Sequence, residues 1–180
     1  MKRVLLPLLI LLITCLSHAQ SGGELRFVLR GEPRTFNPIL VTEDYSETVR
    51  YLTGGFLLRL NRQTQKLEPG LASSWKVTDG GKQITFKLRA NLFFSDGTPF
   101  TTDDVVYTFQ QMMAPSVHSP IADEFRSGNG PITAKAVSKT EVAIRLPAPI
   151  AGLDRIFDQV AIMTRTNAPA PWFSVVSLRP

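Results

Sequence analysis

Thiol chemistry is almost absent from this chain, which has one cysteine, Cys15, in 180 residues. Cys15 lies inside an apolar N-terminal run, so loss of that run would leave no disulfide, no thiolate nucleophile and no cysteine zinc site. Histidine is nearly as scarce: beyond His18, only His118 remains. One histidine without cysteines makes a poor transition-metal site. The chain also lacks a G-x-S-x-G elbow and a glycine-rich phosphate loop, which removes the common hydrolase and nucleotide-binding readings. Its apolar run at residues 4–16 falls short of the roughly 20 residues that cross a bilayer as helix. Lysine and arginine are scattered without a stripe, so a nucleic-acid partner has no support. These absences predict no enzyme activity and no cofactor.

What is present begins with an address. Lys2 and Arg3 precede the apolar run, and Ser17-His18-Ala19 supplies small residues where a signal peptidase cuts. Residues 1–19 therefore read as a signal peptide cleaved between Ala19 and Gln20. Without Lys2 and Arg3, 18 basic side chains face 15 acidic ones, and the formal charge falls from +5 to +3. An alternative is a lipid anchor on Cys15, because Leu12-Ile13-Thr14-Cys15 faintly resembles a lipobox, with Thr14 where that motif takes Gly, Ala or Ser. The remaining 161 residues suit one domain on size alone. With 43% apolar and 19% charged residues, the composition permits an ordinary hydrophobic core.

Past the signal, Leu25, Phe27 and Leu29 alternate with polar residues and predict a strand over 24–30. Two prolines then punctuate a loop, Gly31-Glu32-Pro33-Arg34-Thr35-Phe36-Asn37-Pro38. From 42 to 53 the spacing predicts a helix with Tyr45, Val49 and Leu52 on one face, started by Thr42 or Asp44 and stopped by Gly54-Gly55. Phe56-Leu57-Leu58-Arg59-Leu60 reads as a buried strand before the polar turn at 61–66.

Residues 67–109 form an unbroken program of turns, strands and a capped helix. Trp75 and Val77 on one run and Ile84, Phe86 and Leu88 on the next place apolar groups on one face of a hairpin. Asp79-Gly80-Gly81-Lys82 supplies the residues that tolerate positive φ at the reversal. Asp103 and Asp104 are the most tempting acid–base pair. Neighbouring helix positions point apart, however, and carboxylates in a first turn meet the positive end of the macrodipole, so capping by Thr101 or Thr102 is the better account. Val105, Val106, Phe109, Met112 and Met113 then make a packed stripe. His118, in a proline-flanked loop, reads as solvent-exposed or locally satisfied.

Further along, Gly128-Asn129-Gly130-Pro131 marks a turn, and residues 132–137 and 141–146 read as paired strands with Val142, Ile144 and Leu146 on one side. Leu153, Ile156, Phe157 and Val160 fit a helix face. Residues 167–180 carry three prolines, Pro169, Pro171 and the terminal Pro180, and read as an irregular tail.

The run Leu67-Glu68-Pro69-Gly70-Leu71-Ala72, the Trp75 hairpin, Asp96-Gly97-Thr98-Pro99-Phe100 and Thr102-Asp103-Asp104-Val105-Val106 closely resemble the extracellular solute-binding proteins of family 5. These are the dipeptide- and oligopeptide-binding proteins of peptide- and nickel-type ABC importers. Phe36-Asn37-Pro38 fits their opening as well, whereas Gly54-Gly55 departs from their bulkier residues. The resemblance implies an incomplete type II periplasmic-binding-protein-like fold, mixed α/β. Residues 20–44 would open lobe I, 45–160 would form the accessory domain, and 161–180 would return toward lobe I as a truncated or irregular tail.

It also implies a monomer in the periplasm, or lipid-anchored, that captures an oligopeptide or dipeptide between two lobes and delivers it to an inner-membrane ABC permease. By position, the loop after Asn37-Pro38 points to Thr42, Glu43 and Asp44 as ligand-binding residues, with simple helix capping as the competing reading. The resemblance does not separate peptide, nickel chelate and oligosaccharide. A secreted interaction module outside transport, or a truncated fragment without function, is the alternative.

Overall fold

The computed structural model describes residues 26–126, 130, 132–166 and 176–178. Two two-stranded pairs, one four-stranded sheet and two helices of 10 and 12 residues account for most of it. Helix α1 (Asp44–Thr53) leads into β1 (Leu58–Leu60), which pairs antiparallel with β2 (Leu67–Pro69). Next come β3 (Ala72–Thr78), β4 (Gln83–Leu88), β5 (Leu92–Phe94), α2 (Thr102–Met113) and the single turn α3 (Ala122–Phe125). Strands β6 (Thr133–Ala136) and β7 (Glu141–Arg145), a 3-10 turn at Arg155–Gln159 and β8 (Val176–Leu178) complete the order. The main sheet runs β3-β4-β7-β6, antiparallel throughout.

The hairpin forms as its alternation demands. Trp75 sits opposite Phe86 and Val77 opposite Ile84, while Asp79, Gly80 and Gly81 turn the chain at φ of 52°, 61° and 92°. Burial is unequal across it. Ile84, Phe86 and Leu88 are buried on the central strand, whereas Val77 on the edge strand remains exposed and Trp75 half-buried. An edge strand has a neighbour on one side only, so its side chains are covered from one side only. Trp75 completes its contacts with a bond from its indole N–H to Asp154 Oδ2 at 3.3 Å.

The core centres on Phe157. Its ring lies 4.8 Å from Phe86, 5.2 Å from Phe125 and 5.7 Å from Phe109, and Phe109 and Phe125 meet edge to face at 5.4 Å. Sheet, long helix, short helix and 3-10 turn thus each contribute one phenylalanine to a single cluster. Helix α2 contributes Val105, Phe109 and Met112, as its spacing predicts. Asp103 and Asp104 diverge: Asp103 is mainly exposed, while Asp104 is buried and accepts from the Thr101 N–H and hydroxyl, both at 2.8 Å.

Gly70 shows why the proline-glycine-leucine-alanine run takes its form. The Gly70, Leu71 and Ala72 amides all donate to the carbonyls of Phe56 and Leu57, and a Cβ on Gly70 would lie 2.3 Å from Phe56 O. Only glycine lets the two chains approach so closely.

Several expectations need correction. Residues 26–30 form no strand, and Phe27 and Val28 are exposed; alternation alone makes no strand without a partner edge. The buried strand expected over 56–60 is paired only at Leu58–Leu60, with Phe56 making an isolated bridge to Ala161. Helix α1 starts at Asp44 with Glu43 as its N-cap, in place of Thr42 or Asp44. It also buries Ser46 and Arg50, leaving Leu52 exposed.

The segment expected as a helix around Phe157 is a 3-10 turn at Arg155–Gln159, although Leu153, Phe157 and Val160 are buried as expected. In the expected irregular tail, Val176–Leu178 pairs antiparallel with β5. The signal-peptide reading, with Cys15, Ala19 and Gln20, lies outside the described residues. Among the described residues, no helix is long and apolar enough to cross a membrane.

Candidate functional site

The loop before α1 is built from short-range bonds. Asn37 Oδ1 accepts the Ile39 N–H at 3.2 Å, and the Thr35 hydroxyl accepts the Asn37 N–H at 3.0 Å. Ile39 and Val41 plunge into the core, and the buried Ser119 hydroxyl donates to Ile39 O. With alternate residues anchored inward, Thr42 and Asp44 face outward and are exposed.

Glu43 is spent on structure. Its Oε2 accepts the Tyr45 N–H at 2.7 Å, and its Oε1 accepts from the Ser46 N–H at 2.9 Å and the Arg34 N–H at 3.2 Å. The Ser46 hydroxyl is the largest cause holding this carboxyl at about 2, below its ordinary 4.5. The backbone N–H groups of Arg34, Tyr45 and Ser46 add to it and outweigh the opposing effect of burial. A carboxylate satisfied by its own helix start is poorly available to a ligand.

Asp44 has a different setting. It lines an open groove of about 430 Å³ along the outer face of α1, together with Glu47, Thr48, Tyr51, Leu52 and Arg62. Thr42 and Glu43 do not line it. The groove has an aromatic and aliphatic floor, carboxylates at one side and a guanidinium 5.1 Å from the Tyr51 ring centroid. Glu47 is paired with Arg50, which leaves Asp44 and Arg62 as the opposite charges that can meet an amine and a carboxylate.

Arg50 holds α1 against the rest of the molecule through a bond to Gln159 O at 2.6 Å, although its Nε is buried without a partner. Ser46 and Arg50 thus face inward on α1 while Tyr51 and Leu52 line the groove. The spacing of Tyr45, Val49 and Leu52 concealed this inversion, and the pairing of Arg50 with a carbonyl 109 residues away left no local signal.

His118 is exposed, with Nδ1 3.2 Å from Ser116 O, and among the described residues no carboxylate hydrogen-bonds to it. Among the described residues, no group of three His, Cys, Asp or Glu side chains gathers for a metal.

Comparison with known proteins places this geometry in a family. Residues 66–175 match the model of bacterial extracellular solute-binding proteins, family 5 Middle. The chain belongs to this family. It has the mixed α/β architecture of type II periplasmic binding proteins, and the family it belongs to is one of solute-binding proteins, whose members are not enzymes.

The family 5 chain is 26% identical over 152 residues to a probable deoxycholate-binding periplasmic protein, YgiS, of Escherichia coli, an alignment covering 84% of this chain and 27% of that one. It is 36% identical over 96 residues to the periplasmic oligopeptide-binding protein OppA of Escherichia coli, covering 46% of this chain and 18% of that one. The solved structure of the oligopeptide-binding protein AppA from Bacillus subtilis, in complex with a nonapeptide, superposes with a TM-score of 0.67 at 25% identity. That match covers 75% of this chain and 26% of the other. The family 5 chain therefore spans less than a third of the length of these relatives.

Proposed function

We propose that this chain is the capture component of an ABC importer, holding peptides outside the cytoplasmic membrane and passing them to a membrane permease. The observation that supports this furthest is the family 5 match over residues 66–175, with relatives whose names and bound ligand are peptides. In this reading residues 1–19 direct export to the periplasm, with lipidation at Cys15 as the other route, and the protein acts as a monomer. Residues 20–44 open the gripping lobe, 45–160 form the accessory domain, and 161–180 return toward that lobe.

Within this edge of the proposed site, the loop at residues 42–44 and the start of α1, roles divide by geometry. Glu43 fixes the backbone, while exposed Thr42 and Asp44 are offered to the ligand, Asp44 to a peptide amine. Capture by such a clamp works because ligand binds the closed form more tightly than the open one, which takes contacts from two sides. This edge supplies one side.

Two measurements test the reading. The full chain, expressed with its own N-terminus in a Gram-negative host, is expected in the osmotic-shock fraction, cut after Ala19. Retention in the cytoplasm overturns export. A pentapeptide carrying a photoreactive N-terminal residue is expected to label residues 42–44 before any other part of the purified chain. Labelling elsewhere overturns the site. Calorimetry on the same chain is expected to give a peptide Kd above about 1 mM, weaker than roughly −4 kcal/mol, because one face does not make a closed clamp. A Kd below about 10 μM would overturn the two-sided account.

A further inference from the structure

A second concavity lies next to the α1 groove, on the other side of Tyr51, and its chemistry differs. It holds about 210 Å³ and is walled by Arg59, Arg89, Phe56, Leu92 and the bare backbone of Gly54 and Gly70. Both guanidiniums are fixed before any ligand arrives. Arg59 donates from Nη2 to Tyr51 O at 3.2 Å and Gly54 O at 3.1 Å, and its Cζ lies 4.7 Å from the Tyr51 ring centroid and 4.9 Å from that of Phe56. Arg89 donates from Nε to Gly70 O at 2.7 Å and from Nη2 to Pro69 O at 3.5 Å.

None of these partners carries charge. The described ion pairs use Arg50, Arg126, Arg145 and Arg165, so among the described residues no ion pair engages Arg59 or Arg89; Glu68 stands opposite Arg59 across β1 and β2, and its Oε1 accepts from the Asn61 side chain. Each guanidinium has five N–H donors, and carbonyls and rings account for only some of them. The walls between are apolar or glycine. An anion entering there meets two cations, free donors and a partly dry surrounding, which strengthens the attraction.

We propose that this cavity is a carboxylate-binding site in which Arg59 and Arg89 grip the two oxygens from either side. A planar carboxylate matches the guanidinium fork, which lysine cannot reproduce. The volume suits a small group: at about 30 Å³ for each water, it equals roughly seven waters, enough for a carboxylate with a short chain behind it. That chemistry comes either from a free short-chain acid or from a glutamate or aspartate side chain presented by another polypeptide segment. The inference stands apart from the α1 edge and does not depend on peptide capture there.

The test follows the Arg Nε–H resonances of the purified chain by NMR while acetate, succinate, or a short capped peptide with one glutamate is added. Its glutamine counterpart and sodium chloride at matched ionic strength serve as controls. A saturable shift of the Arg59 and Arg89 signals with carboxylate, absent from both controls, is expected. Acetate or succinate acting best identifies a free acid, and the glutamyl peptide acting best identifies a side chain. Arg59→Met is expected to weaken binding at least tenfold, Arg59→Lys nearly as much, and Arg145→Met not at all.

Because Arg89 also holds backbone carbonyls, Arg89→Met is read only alongside its circular dichroism, and Arg59→Lys carries the conclusion if that variant unfolds. Equal shifts with chloride, no shift with any carboxylate, or unchanged affinity in Arg59→Lys overturns the site.

Discussion

Arg165 donates its backbone N–H to Asp104 Oδ1 at 2.9 Å, so the carboxylate that caps α2 also pins the irregular segment returning from the Phe157 cluster. The neighbouring Thr108 hydroxyl extends the stitch, accepting the Met163 N–H at 2.9 Å and donating to Asp104 O at 2.8 Å. A pair of adjacent aspartates that resembles catalytic chemistry on paper is, in the fold, a fastening between two segments 61 residues apart.

Replacing Asp104 with alanine removes both functions at once. The Thr101 and Arg165 N–H groups lose a charged acceptor, and hydrogen bonds to charged groups contribute about 1.5 to 3 kcal/mol. Urea unfolding of Asp104→Ala is expected to show a loss of about 3 kcal/mol, with Asp104→Asn losing less because one carbonyl oxygen remains. Asp103→Ala, at the exposed neighbour, should lie within about 0.5 kcal/mol of the parent. Equal losses at the two positions would refute the fastening role.

Glycine positions separate by what surrounds them. A Cβ at Gly70 would press on Phe56 O at 2.3 Å, while one at Gly80 would find nothing within 4 Å and would suffer only its φ of +61°. Gly80→Ala should therefore cost about 1 to 2 kcal/mol, the usual left-handed penalty. Gly70→Ala should cost more, because backbone and not a flexible side chain must move. Thermal melts of the two variants check the order, and a milder Gly70→Ala would contradict it.

The same contrast explains what could be read from residues alone. The β3–β4 hairpin and the α2 stripe were legible because each is local: alternation, a positive-φ turn and a capped start all lie within a few residues. Helix α1 was legible as a helix but not in orientation. Its inward face is set by Arg50 reaching Gln159 O and Ser46 receiving the Thr35 N–H, contacts with no sequence period.

The glutamate cap was hidden for a related reason, since short side chains lead at N-caps and the Arg34 N–H that Glu43 also accepts lies nine residues away. Strand β5 went unread because its partner lies in a segment rich in prolines. Of the candidate site, the position of residues 42–44 came from resemblance, while the groove at Asp44 came from the fold.

At the core, Phe157 touches three other rings, and the loss of one ring is felt by all. Phe157→Ala should cost about 3 to 5 kcal/mol, and Phe157→Leu considerably less. A double-mutant cycle with Phe125→Leu should reveal about 0.5 to 1.5 kcal/mol of coupling from their edge-to-face contact. Additive losses in chemical denaturation would mean that the rings stabilise the fold by area alone.

The remaining prediction concerns acid. Glu43 has its folded-state carboxyl at about 2, below the ordinary 4.5, because the Ser46 hydroxyl and then the N–H groups of Arg34, Tyr45 and Ser46 favour the charged form. A lowered folded value means that the ionised group stabilises the native state fully above the unfolded value, and that this stabilisation fades as pH falls through the folded one. The contribution should therefore be constant from neutral pH to about 5 and disappear between about 4.5 and about 2. Glu43→Gln cannot ionise, so its stability deficit against the parent should be flat above about pH 5 and shrink across that window. Unfolding midpoints of both proteins at matched ionic strength from pH 7 to pH 2.5 measure it, with α1 followed by hydrogen exchange at Tyr45 and Ser46. A deficit that grows as the solution is acidified would reverse the sign and remove Glu43 from the capping role.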